Sequence, residues 1–125
     1  MNFMSDKCFV DTNILVYAHD RSAGLKHQRA RALLEQLWDS GSGVLSTQVQ
    51  QELCIKLRRK TTPPLPADET RSLIRDYLCR EIVVNTAESV LEALDIEKPY
   101  RVSFWAALIL QAAETSGAKI LYSED

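Results

Sequence analysis

The chain has 125 residues, 46% of them hydrophobic, and a formal net charge of -2. That is enough for one domain with a real core, and too apolar and too evenly charged for a disordered protein. No apolar run is long enough to span a membrane, and the N-terminus has no basic stretch leading into an apolar one, so neither an anchor nor a secretory signal is expected. Cys8, Cys54 and Cys79 are odd in number, widely spaced and set among apolar neighbours. They are expected to be buried free thiols in a reducing compartment, which makes the protein cytoplasmic.

Cys8 to Val10 reads as a short buried strand that stops on Asp11, and Ile14 to Ala18 continues as helix. Gly24 opens a long helical pattern through Ala30, Leu33, Leu34, Leu37 and Trp38, stopped by Ser40-Gly41-Ser42-Gly43. Val44-Leu45 is a very short second strand, and Ser46 or Thr47 suits the cap of the helix that follows. That helix carries Val49, Leu53 and Leu57 on one stripe and ends at Lys60, before Thr61-Thr62-Pro63-Pro64. Pro66 suits the first position of the next helix, whose buried face is expected to be Leu73, Ile74, Tyr77 and Leu78. Ile82-Val83-Val84 is the third strand. Thr86 caps a helix through Val90, Leu91 and Leu94. Ser103 caps another, so apolar from Phe104 to Leu110 that it is expected to be central and largely covered. Gly117 closes it, and Ile120-Leu121-Tyr122 is the fourth strand. Strands alternating with helices predict an α/β domain over 1–125, a small parallel sheet with helices on both faces.

Three acids follow three of these strands: Asp11, Glu52 and Asp125. Each has a plainer reading alone: a helix cap for Asp11, dipole compensation for Glu52, a solvated chain end for Asp125. Their recurrence on what should be one rim of one sheet points instead to a shared site, since ligands bind at the carboxyl ends of such strands. Converging carboxylates repel, and a hard divalent cation such as Mg2+ or Mn2+ relieves that repulsion. His19 and His27 read as surface residues. Residues 1–60 hold nine Lys/Arg against six Asp/Glu, whereas residues 61–125 hold six against eleven. The basic excess gathers at Lys56, Arg58, Arg59 and Lys60, which suits either an RNA backbone or the dipole at a helix end.

Phe9 to Ala18 (FVDTNILVYA) resembles the opening of the PIN-domain family, and Leu45 to Leu53 (LSTQVQQEL) resembles its second motif. Ser103 to Ile109 (SFWAALI) is similar to the third and Leu121 to Asp125 (LYSED) to the fourth. The resemblance is nearest to VapC-type toxins of bacterial toxin–antitoxin pairs. It implies a three-layer α/β/α sandwich and an Mg2+-dependent endoribonuclease, homodimeric and inhibited by a cognate antitoxin. By position it implies Asp11, Glu52 and Asp125 as metal-binding acids, with Thr12, Asn13 and Ser123 as polar support. The family places an aspartate after the Phe-Trp pair, where this chain has Ala106, and its members usually run on past the fourth acid. Loss of that carboxylate implies weaker metal binding; the alternative function is an impaired domain that binds antitoxin or RNA. The large apolar residues at Leu33–Trp38 and Leu73–Leu78 suit either a dimer face or a well-filled core. Pro63 to Pro66 suits either a partner-facing loop or a stiff connector.

Overall fold

The computed structural model describes residues 6–124. Four short strands, β1 (Cys8–Val10), β2 (Gly43–Ser46), β3 (Glu81–Val83) and β4 (Ile120–Tyr122), form a parallel sheet in the order β3-β2-β1-β4. β1 and β2 are buried throughout, as continuous apolar runs in a parallel sheet should be. α1 (Thr12–His19), α2 (Leu25–Ser40), α3 (Thr47–Arg59) and α4 (Ala67–Tyr77) pack on one another as one layer. α5 (Ala87–Tyr100) and α6 (Phe104–Ser116) form the other, with α6 against β2 and β3. The result is an α/β/α sandwich, as expected.

Short polar residues start the helices where the sequence placed them. Asp11, Ser46, Thr86 and Ser103 each accept a backbone hydrogen bond as N-caps, and Thr86 and Ser89 satisfy each other's backbone N–H groups. Each such cap supplies an acceptor to an N–H that no helical carbonyl can reach. Gly41 and Gly117 take the left-handed conformation that ends α2 and α6. Gly43 is needed for another reason, since a methyl group there would overlap the Trp38 ring.

Several expectations are corrected. Pro66 is the residue before α4 rather than its first, because its extended backbone holds it outside the helix. The third strand begins at Glu81 and ends at Val83, leaving Val84 exposed. Leu78 lies just past the end of α4 and is exposed, so it does not share the face formed by Leu73, Ile74 and Tyr77. Cys79 is exposed and Cys54 half-buried; only Cys8 is buried. α6 is not covered all round: its packed face is Ala107, Leu108, Ile109, Ala112 and Ala113, which leaves Trp105 62% exposed.

Leu34, Leu37 and Tyr77 fill the core, with Leu33, Trp38, Leu73 and Ile74 packed against it. The connector from Thr61 to Pro66 is stiffened from within. Thr61 Oγ donates to the Leu57 carbonyl at 2.8 Å, the Leu65 N–H donates to the same carbonyl at 2.9 Å, and the Leu65 side chain packs against the core. Among the described residues, no helix is long and apolar enough to cross a membrane.

Candidate functional site

Parallel register brings two carboxylates to one end of the sheet. Val10 pairs with Tyr122, and the Asp11 N–H donates to the Tyr122 carbonyl at 2.9 Å, so the chain beyond β4 emerges beside Asp11. Ser123 Oγ then donates to Asp11 Oδ2 at 2.9 Å, while Asp11 Oδ1 accepts from the Thr12 N–H at 2.6 Å. Capping and a role at the site are compatible here, because a carboxylate has about four acceptor positions and these bonds occupy two.

β2 lies next to β1, and α3 leaves β2 under the Ser46 cap. Glu52 sits on the second turn of α3, where its Oε1 accepts from the buried Thr12 hydroxyl at 2.9 Å. Thr12 therefore couples the two acids: its N–H holds Asp11 and its hydroxyl holds Glu52. One turn further along α3, Lys56 Nζ donates to Asn13 Oδ1 at 3.0 Å. Of the predicted polar supports, Thr12 and Ser123 touch the carboxylates, whereas Asn13 bonds to Lys56.

The basic run does not act as one surface, because successive helical residues point about 100° apart. Lys56 faces the acids through Asn13, while Arg58 lines an outer groove between α3 and α4 with Ile55, Arg71 and Ile74. Arg59 and Lys60 are exposed at the end of the helix.

Ala106 is half-buried in the first turn of α6, its N–H donating to Ser103 Oγ at 3.1 Å. That turn is tied to α3 by Gln48, whose Nε2 donates to the Trp105 carbonyl at 3.2 Å. Gln48 and Glu52 are four residues, about one helical turn, apart on one face of α3, so the first turn of α6 is tied to the face of α3 that bears Glu52. Asn85 braces the same corner, its Oδ1 accepting from the Gln48 N–H at 2.9 Å and from Thr47 Oγ at 2.8 Å. Sequence reasoning missed Gln48 and Asn85, since a polar residue in a helix turn or loop carries no pattern that names its partner.

Asp125 lies outside the described residues. Its neighbour Glu124 is held by two groups that sequence reasoning also missed: Tyr17 Oη donates to Glu124 Oε1 at 2.8 Å and Lys26 Nζ at 2.9 Å. Lys26 also lies 5.1 Å above the Tyr17 ring. The bond from Lys26 holds the Glu124 carboxyl below its usual range, and the same carboxylate raises the Lys26 ammonium and the Tyr17 phenol. The two charged groups are exposed, so their ion pair adds little to the stability of the fold.

His19 is not a surface residue. It is half-buried, and its Nε2 pairs with the Tyr77 hydroxyl at 2.6 Å. Burial, then the charges of Arg31 and His27, push its pKa down from 6.5 to about 4. A folded pKa below the unfolded one means that the unfolded chain binds more protons between those values. The stability from neutral His19 is thus complete above pH 6.5 and lost as pH falls toward 4. Acid titration of urea unfolding is expected to show about 3 kcal/mol lost over that window, with His19→Gln lacking this component.

The acid pair suits a hard cation. Among the described residues no group of three or more His, Cys, Asp or Glu side chains forms a complete cage. Mg2+ and Mn2+ do not require one, since they bind oxygen and Mg2+ usually keeps several waters beside one or two carboxylates. Asp11 and Glu52, steadied by the Thr12 and Ser123 hydroxyls, are an all-oxygen set of that kind.

The family model described as PIN domain matches residues 8–125. No curated protein matches the chain in sequence. Among solved structures, the fold is similar to that of Mycobacterium tuberculosis VapC20, described as a sarcin-ricin loop cleaving toxin. That likeness has a TM-score of 0.72 and 22% identity, covering 95% of this chain and 90% of the other.

Proposed function

This chain belongs to the PIN-domain family, and from that membership and its acid pair we propose that it is an endoribonuclease of the VapC toxin type. The observation that carries this reading is the coupling of Asp11 to Glu52 through Thr12, at the strand ends where α/β sheets bind ligands. Asp11 and Glu52 would hold Mg2+ or Mn2+, with Asp125 as the third acid. Such an ion supplies positive charge against the phosphodiester and acidifies water for attack on it.

The chain's own groups do the rest. Thr12 and Ser123 fix the rotamers of Glu52 and Asp11, so that the oxygens need no rearrangement when charge arrives. Lys56, held by Asn13, offers its remaining ammonium protons to an RNA phosphate beside the acids. Arg58, Arg59 and Lys60 extend the positive field without facing the acids directly. Hydrolysis adds the elements of water across one P–O bond, leaving a phosphate on one product and a hydroxyl on the other.

Ala106 favours a second reading, a domain with impaired chemistry that still holds RNA or an antitoxin segment. On either reading the protein works in the cytoplasm as a single domain. Homodimerisation is proposed through the exposed apolar side chains of α5, Val90, Leu91 and Leu94, because the large apolar residues of α2 and α4 are engaged in the core. The test is Mn2+ calorimetry with cleavage assays on structured RNA, including a sarcin-ricin stem-loop. Asp11→Asn is expected to weaken Mn2+ binding at least about tenfold and to abolish any cleavage. Binding and cleavage unchanged in that variant would sink the proposal.

A further inference from the structure

We propose that Trp105 is a stacking platform for an unpaired RNA base beside the acid pair, an inference that rests on the ribonuclease reading. In a helix whose other large apolar side chains are wholly or partly covered, Trp105 alone is left 62% exposed. One exposed ring alone would need no explanation, but Tyr100, five residues earlier, is also 71% exposed, so the short junction between α5 and α6 leaves two large aromatic side chains in solvent.

The surroundings of Trp105 indicate what meets it. The Trp105 carbonyl is held by Gln48 at 3.2 Å, one turn of α3 from Glu52, so the start of α6 is tied to the helix that carries one of the acids. Phe104 meets the indole edge-on with centroids 5.3 Å apart, and Phe104 is itself packed against the cluster of Ala93, Ala107 and Leu108. The ring is thus steadied from one side and open on the other. Tyr100 ends α5 and Arg101 caps that helix in the left-handed conformation, both within five residues of Trp105 in the chain. Exposed aromatic side chains with an arginine between them in the chain suit single-stranded RNA, whose splayed bases stack on such groups. A base on Trp105 would fix the register of the strand while Lys56 takes a neighbouring phosphate.

The experiment uses the full chain in EDTA with a short unpaired oligoribonucleotide and an abasic strand carrying the same number of phosphates. The RNA is expected to quench tryptophan emission. Trp105→Ala should weaken RNA binding about tenfold, with Trp105→Phe retaining most of the affinity. Binding of the abasic strand should be the same in all three proteins. Equal RNA affinity in Trp105→Ala and the unaltered chain would overturn the stacking role and leave the ribonuclease reading standing. Failure of the unaltered chain to bind either strand would overturn both. An emission shift that grows with protein concentration without RNA, together with unchanged RNA affinity in Trp105→Ala, would assign the ring to contact between copies and overturn the proposal.

Discussion

Replacing Ala106 with aspartate is expected to raise Mn2+ affinity at least about tenfold and RNA cleavage by about a hundredfold. The framework for the missing acid is already built. Ser103 caps α6 through the Ala106 N–H, Gln48 ties that first turn to α3, and Asn85 braces the start of α3. An aspartate at position 106 enters the first turn of a helix, where the dipole favours negative charge, so folding should not oppose the change. By the motif it would restore, it joins the site of Asp11 and Glu52, and the added repulsion strengthens the pull on a divalent cation. Calorimetry and cleavage assays on both proteins are the check. A gain in binding with no gain in cleavage would place the chemical defect elsewhere. No gain in either would favour the module that holds its partners without cutting.

Phe9→Ala is expected to destabilise the fold by about 3–5 kcal/mol in urea or thermal unfolding. Phe9 is fully buried at the middle of β1, paired with Val44 of β2 on one side and Leu121 of β4 on the other. Both neighbours lie on strands fixed by parallel ladders, so the cavity left by the ring has little room to collapse. Typical domains have only about 5–15 kcal/mol of stability, so this single change takes a large share of it. Val84→Ala is the contrast: the side chain is 64% exposed, and truncation should cost well under about 1 kcal/mol. A loss below about 1 kcal/mol for Phe9→Ala would mean that the sheet repacks around β1. Because Asp11 leaves β1 two residues after Phe9, metal binding by the variant also reports how rigidly the strand presents its acid.

Local chemistry determined much of this molecule. The strands, the caps at Asp11, Ser46, Thr86 and Ser103, and the closing glycines Gly41 and Gly117 follow from side chains acting on backbone within a few residues. The four ordered motifs were equally plain, and the family model over residues 8–125 agrees with them. What tertiary structure alone decided are the relations between distant residues: Thr12 joining Asp11 to Glu52, Lys56 turned to Asn13, Gln48 reaching Trp105, Tyr17 and Lys26 holding Glu124. Burial errors have the same origin. His19 read as a surface histidine and Trp105 as core because periodicity reports how apolar a segment is, not which neighbour covers it. His19 is covered across the chain by Tyr77, while α6 spends its small residues on the packed face and leaves its largest ring in solvent. Composition and spacing are properties of one segment; coverage and hydrogen-bond partnership belong to pairs of segments, and only the folded sheet brings those pairs together.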